Sequence, residues 1–405
     1  MAAKEPDFEV IIGGGGMVGA TLACALAERG VRTALLEGRI PDEIAPGSEP
    51  DARVSALSPA SQRIFQRLGV WDGMTARRVT PYRAMEVWDQ GGAGRIHFDA
   101  AQAGEPLLGH IVENRVMQRA LLARAESLAS LEVFSEAWLA GFEIQADRVR
   151  ARLDDGRAWT GRLLVGADGR NSKVRAWAGI QSRDWDYEQL GVVATVRCKE
   201  HHQDTAWQRF LPTGPLAFLP LWDGRCSIVW SAASGEAKRL MALDDAAFRR
   251  ALGLAFEHRL GEVVAVGPRT AFPLRMMQAE RYAAPRVALI GDAAHTVHPL
   301  AGQGANLGLL DAAALAEVVL DARDRGRDVA AARVLARYQR WRKGHNLTMS
   351  LAFDGINRLF SGSSAPLRAL RTAGLSLADR ITPLKLAFMR QAMGNGADHP
   401  ALAKE

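Results

Sequence analysis

Gly14, Gly16 and Gly19 follow directly on the apolar run Phe8-Glu9-Val10-Ile11-Ile12. This GxGxxG spacing suits a dinucleotide pyrophosphate. Gly14 supplies a tight turn, Gly16 lets phosphate approach the backbone, and Gly19 lets the next helix pack on the strand. Unpaired N–H groups at the start of that helix then face the anion. A register starting at Gly13 would put Val18 in the last position, so the Gly14 register is preferred. Glu37 closes the next apolar run, Thr33-Ala34-Leu35-Leu36, where it can accept bonds from adenosine ribose hydroxyls.

Two further acids end apolar runs. Leu163-Leu164-Val165-Gly166-Ala167 leads to Asp168-Gly169, with Arg170, Asn171, Ser172 and Arg175 beyond. Ala288-Leu289-Ile290-Gly291 leads to Asp292, which can reach a sugar-like hydroxyl. Soon after comes His298-Pro299-Leu300-Ala301-Gly302-Gln303-Gly304-Ala305-Asn306-Leu307-Gly308, and then Asp311. Here a Gly-rich loop enters a helix. Its N–H groups from Gly302 to Asn306 could face a negative charge, such as that of a reduced flavin. His295 and His298 stand three residues apart, but Pro299 interrupts a helix there and no third ligand is near, so no metal site is expected.

The elements that must hold these residues are legible. Strand, Gly-rich turn, helix Ala20–Ala27 and strand Thr33–Leu36 make a βαβ unit. Residues 185–275 read differently. Leu190–Val196, Trp207–Leu211, Leu216–Leu219 and Cys226–Ser231 are apolar or alternating with turns between, as in an antiparallel sheet. After Ala305 the chain reads as mostly helical, with breaks near Gly326, Gly344, Pro366 and Pro383. The expected fold class is α/β: a Rossmann-like nucleotide-binding domain, an inserted β-rich substrate domain and a helical C-terminal tail. The nucleotide domain would take residues 1–75, 109–182 and 276–330. The substrate domain would take 76–108 and 183–275, and the tail 331–405.

The 405 residues are 48% hydrophobic and 24% charged, which is ordinary for a globular enzyme. Cys24, Cys198 and Cys226 are scattered without a CxxC pair and are expected to be reduced. The first strand leaves no room for a signal peptide, and no apolar run nears the roughly 18 residues of a membrane span. A cytoplasmic protein is expected, with any membrane contact peripheral, at the inner membrane. The net charge is +6, and it concentrates in the tail: from Arg337 to Arg390 there are ten Lys or Arg, including Arg358, Arg368 and Arg371, against Asp354 and Asp379. Leu351, Phe353, Ile356, Leu359 and Phe360 recur there at helical spacing, continued by Leu384, Leu386, Phe388, Met389 and Met393. Such a face is either solvated and packed on the body, or it meets an anionic membrane or an acidic partner. No nucleic-acid motif is present.

The three motifs, in this order, resemble those of the flavoprotein aromatic hydroxylases of the para-hydroxybenzoate hydroxylase class, which carry GxGxxG, a DG motif and a GD motif. The sharper likeness is to the ubiquinone-biosynthesis hydroxylases. Their signature, His-Pro-x-Ala/Gly-Gly-Gln-Gly-x-Asn-x-Gly-x-x-Asp, is met by His298, Pro299, Ala301, Gly302, Gln303, Gly304, Asn306, Gly308 and Asp311. Arg53-Val54-Ser55-Ala56-Leu57, Glu113-Asn114-Arg115, Phe272-Pro273-Leu274 and the stretch Phe388–Gly394 look similar too, so the likeness spans nearly the whole chain.

The resemblance implies FAD as cofactor, held at its pyrophosphate by Gly14, Gly16 and Gly19 and at its ribose by Glu37. Arg115 and Gln118 would approach the pyrophosphate and ribityl chain, and Asp292 the ribityl side. Asp168 would serve both the fold and the cofactors, and Arg53 would lie near the flavin or the arriving nicotinamide. Pro299, Gly302, Gln303, Gly304, Ala305 and Asn306 would lie along the flavin ring. The chemistry implied is transfer of one oxygen of O2, through a flavin C4a-hydroperoxide, to a ring carbon of a polyprenylated phenol. No second dinucleotide motif is present, so NADH or NADPH would bind transiently. Leu211, Pro212, Phe218, Pro220 and Trp222 are candidate walls of the substrate pocket, or equally plain sheet core. Other ubiquinone-pathway proteins are possible partners. The rival readings are a hydroxylase of another hydrophobic aromatic and a prenyl-binding flavin-fold protein without catalysis.

Overall fold

The computed structural model describes residues 5–45, 47–90, 94–297, 302–361, 381–394 and 398–404. Its centre is a parallel sheet in the order Val287–Leu289, Ala158–Gly166, Phe8–Gly13, Thr33–Glu37 and Leu131–Ser135. These strands are nearly continuous apolar runs because helices cover them. The covering helices include Met17–Ala27, Asn114–Glu126 and Gln303–Asp324. Small residues let two of them cross closely. A Cβ on Gly308 would lie 2.7 Å from Val18 Cγ2 and 3.2 Å from the Gly291 Cα, so this crossing needs glycine.

A second sheet, antiparallel except where Thr205–Leu211 meets Ala84–Asp89 in parallel, carries Ser182–Cys198 at its middle, between Thr270–Ala279 and Cys226–Ala233. Strands Gly214–Pro220, Thr205–Leu211, Ala84–Asp89 and Arg95–Asp99 extend it. All four apolar runs singled out in the sequence lie within its strands. Helices Ser234–Ala242 and Asp245–Ala255 cover one face of it.

Strand pairing departs from the expected boundaries in three places. Val79–Tyr82 pairs with Gly109–Glu113, in a small sheet with Val54–Leu57 beside the nucleotide domain. Thr270–Ala279 carries the second sheet past residue 275. His295–Thr296 returns to that sheet by pairing with Met277 and Gln278. Sequence texture changes gradually across such junctions, whereas backbone pairing is all or none.

The long helix Ala332–Ser361 then crosses both bodies. Near its start Tyr338 donates to the Leu289 carbonyl, and towards its end Asp354 accepts from Tyr187 of the second sheet. The tail is therefore only partly a surface face. Arg342, Lys385, Met389 and Met393 are buried, whereas Leu351 and Phe388 are 58% and 55% exposed. Arg368 and Arg371 lie outside the described residues, and so do the side chains of Phe353, Ile356, Arg358, Leu359, Phe360 and Leu384. No described helix is long and apolar enough to cross a membrane.

Candidate functional site

The glycine turn is built from backbone constraints. Gly14 has φ +109°, and a Cβ there would come 2.3 Å from the Ala167 carbonyl oxygen. A Cβ on Gly19 would lie 1.9 Å from the Gly14 carbonyl oxygen. A Cβ on Gly16, by contrast, would meet no protein atom within 4 Å. Gly16 also caps the helix Met17–Ala27 without any side-chain bond, so the first N–H groups of that helix remain free for an anion. Thus two of these glycines are required by the fold, and Gly16 keeps a space empty of protein.

Around that space lies a cavity of about 330 Å3, lined by Gly13, Gly14, Gly16, Glu37, Gly38, Trp138, Asp168 and Lys173, among others. Glu37 accepts the Arg39 N–H at 2.8 Å through Oε1. A Cβ on Gly15 would lie 2.8 Å from the Glu37 Cβ, which explains the third consecutive glycine. Gln118 donates to the Gly15 carbonyl at 3.0 Å and so braces the turn.

Several of the expected residues also carry structural bonds. Arg115 donates to Glu113 at 2.9 Å and to the Glu49 carbonyl, so its guanidinium ties down the 49–53 stretch. Buried Arg78, which the sequence did not single out, also meets Glu113, at 3.4 Å. The Asp168 carboxylate accepts from Ser172 Oγ and from the N–H groups of Lys173 and Val174, so it caps the helix Lys173–Trp177 while bordering the cavity. From that helix Arg175 donates to the Ala293 carbonyl and joins the two acidic turns.

Asp292 opens to solvent but lies deep between elements. Burial raises its carboxyl pKa above the usual carboxylate range, against the pull of His295, Arg53 and Arg170. Arg53 is exposed and, among the described residues, has no ion pair. Pro299 lies outside the described residues, as does the side chain of Gln303.

Gly302 begins the helix Gln303–Asp324 with φ +63°, and a Cβ there would lie 2.9 Å from the Ala56 nitrogen. Gly304 is less crowded: its nearest neighbour would be Val297, at 3.7 Å. Asn306, expected within the stretch along the flavin ring, commits its side chain to the fold. The amide is buried, donates to the Ala56 carbonyl at 2.8 Å, and accepts from the Ser58 N–H and from Ser61 Oγ. It fastens the helix start to the strand Val54–Leu57.

Asp311 has no function assigned by the sequence beyond its place in the signature. It is wholly buried and accepts from the Gly291 N–H, His295 Nε2, Arg342 Nε and Asn346 Nδ2, at 2.5–3.2 Å. Burial alone would raise its pKa, yet His295 and Arg342 hold it well below the usual range. Arg342 also reaches the Leu307 carbonyl at 3.4 Å. The network joins the GD turn, the start of the Gly-rich helix and the crossing helix. Nothing local in the sequence pointed to Arg342.

The candidate pocket-wall residues divide between sheet core and surface. Leu211 and Phe218 belong to the core under the two covering helices, where Phe218 stacks on Phe256 at 3.7 Å. Pro220 pairs with Cys226 of the same core face. Trp222 lies at the surface under the Arg78 guanidinium. Strand alternation gives the opposite face to Phe210, Ala217, Leu219 and Val229. Leu219 packs with Ala56 and Ile111, so this face lies over the helix start at Gly302.

With this geometry in view, the comparisons decide the family. The model of the FAD binding domain matches residues 7–347. This chain belongs to the FAD-binding flavoprotein monooxygenases. The family member ubiquinone hydroxylase UbiL of Rhodospirillum rubrum is 40% identical over 98% of this chain and 92% of its own. The 3-demethoxyubiquinol 3-hydroxylase of Escherichia coli is 40% identical over 95% of this chain and 98% of its own. The human mitochondrial ubiquinone biosynthesis monooxygenase COQ6 is 36% identical over 96% and 93%. Among solved structures, Pseudomonas aeruginosa PqsL superposes with a TM-score of 0.76, at 27% identity over 91% of this chain and 99% of that one. The p-nitrophenol 4-monooxygenase PnpA of Pseudomonas putida, at 20% identity over 97% and 98%, reaches 0.78 and shows the shared fold.

Proposed function

We propose that this FAD-dependent monooxygenase hydroxylates the aromatic ring of a polyprenylated phenol in ubiquinone biosynthesis. O2 is the co-substrate, and NADH or NADPH binds transiently as reductant. The observation that carries this reading is the 40% identity, over almost the full length of both chains, to two ubiquinone-pathway hydroxylases.

The residues present fit FAD. The space in front of Gly16, the free helix N-terminus and Glu37 at the cavity edge match a pyrophosphate followed by a ribose. When bound, FAD supplies the activation of dioxygen. The chain's own residues do the rest. Gly302 and the N–H groups after it present a positive helix end towards the ring. Asn306 fixes that end against Ala56. Asp292 would hold the ribityl chain. The apolar sheet face of Phe210, Ala217, Leu219 and Val229 excludes water and receives the phenol ring. The prenylated substrate resides in lipid. Exposed Leu347, Leu351, Ile381 and Phe388, with cationic Arg390 nearby in sequence, suit peripheral contact with an anionic inner membrane or with other ubiquinone-pathway proteins.

The test is turnover of a short-chain polyprenylated phenol in micelles with NADH or NADPH and isotopically labelled dioxygen. One labelled oxygen on the ring is expected. Reductant consumption that yields only peroxide with every prenylated phenol would refute the reading.

A further inference from the structure

We propose that Trp138 is the aromatic platform on which the adenine ring of FAD stacks. Trp138 follows the strand Leu131–Ser135, and the N–H of its neighbour Ala137 donates to the Glu37 carbonyl at 3.4 Å. Its backbone is pinned on both sides: its N–H donates to the Asp154 carboxylate at 3.3 Å, and its carbonyl accepts the Asp154 N–H at 3.0 Å. The indole lies against Gly38. A Cβ on Gly38 would fall 1.7 Å from Trp138 Cζ3, so the residue after Glu37 must be glycine for the ring to occupy this place.

The ring is nevertheless 46% exposed. An indole fixed by backbone bonds, seated on a glycine and left half open offers a rigid aromatic face to a planar ligand. It borders the same cavity as Gly14, Gly16 and Glu37. The order of partners there is a free helix N-terminus, then a carboxylate, then an aromatic ring. That order matches phosphate, ribose and purine in the adenosine half of a dinucleotide. Purine stacking on an aromatic side chain is sequence-tolerant and strong enough to matter for affinity.

The same purine is found in NAD(P)H, so the test must separate the two dinucleotides. Apoprotein is titrated with FAD, with FMN, which lacks adenine, and with NADH, while tryptophan emission is followed. Trp138→Ala should weaken FAD binding roughly ten-fold and Trp138→Phe much less, as base–aromatic stacking predicts. FMN affinity should stay unchanged in both. The quenching caused by FAD should shrink in Trp138→Phe. Equal weakening of FAD and FMN, or an unchanged FAD affinity in Trp138→Ala, would overturn the proposal. Weakening of NADH alone would assign the platform to the reductant and overturn it too. The exposed side chain lets the truncated protein keep its core, and circular dichroism of both variants checks that.

Discussion

Asp311 and Arg342 meet at 2.8 Å with side-chain exposures of 0% and 1%. The pair is shielded from water on every side, and Asp311 shares the site with His295 Nε2 at 2.5 Å. Arg342→Met would leave a buried carboxylate short of its countercharge, at a cost of about 3–5 kcal/mol. Urea unfolding should show that loss, with FAD content falling alongside, because Asp311 also holds the Gly291 N–H. Arg342→Lys should lose less, since charge survives while the reach to Leu307 and Asn346 does not.

The glycines of the turn separate stability from binding. Gly14→Val should unfold the turn, because its φ is +109° and its Cβ would collide with Ala167. Gly16→Val meets no protein atom within 4 Å of its Cβ. That variant should keep its melting temperature in the apo state and lose FAD. Full flavin occupancy in Gly16→Val would refute the pyrophosphate assignment.

Gly304 offers room for substitution without displacing the fold, its nearest neighbour being Val297 at 3.7 Å. Gly304→Leu should retain FAD yet lower the product formed per reductant oxidised, with peroxide making up the difference. Unchanged coupling would mean that this helix start does not face the flavin ring.

His110 and His399 give the stability a pH slope. Burial lowers each from 6.5 to about 4, with His345 and then Arg342 and Arg63 adding to the effect at His399. The unfolded chain therefore binds the extra protons. The stabilisation is complete above pH 6.5 and is lost as the pH falls toward 4. Thermal unfolding at pH 5 should come at lower temperature than at pH 7, and His399→Gln should flatten part of that slope. A slope left intact would assign it to other groups.

The proposed membrane contact predicts salt-sensitive sedimentation with anionic liposomes. Leu351→Glu together with Phe388→Glu should reduce it and leave flavin content unchanged. Equal sedimentation of parent and variant would remove the tail from that role.

The local motifs were legible because their chemistry is local. Gly14, Glu37 and Asp292 each follow a strand that announces itself in sequence, and the constraint acts within a few residues. Asn306 was legible as a position but not as a role, since its partners Ala56, Ser58 and Ser61 stand some 250 residues away. Arg342 was hidden for the same reason, inside a helix that reads as basic and solvated. Leu211 and Phe218 stayed open between pocket wall and sheet core, because alternation reveals that a strand has two faces, not which one meets the flavin domain. Trp138 left no signal, as a single aromatic residue has no spacing.

The crossing helix also has a bearing on where this chain can be cut. The family match ends at residue 347, immediately after Asn346, the last residue to bond Asp311. A fragment stopped before Arg342 would not be a trimmed enzyme but one with a missing internal counterion. Removal of residues beyond 361 leaves that counterion in place. It also removes Met389, Met393 and Ala403, which are buried, so a cut there costs core packing and not charge balance.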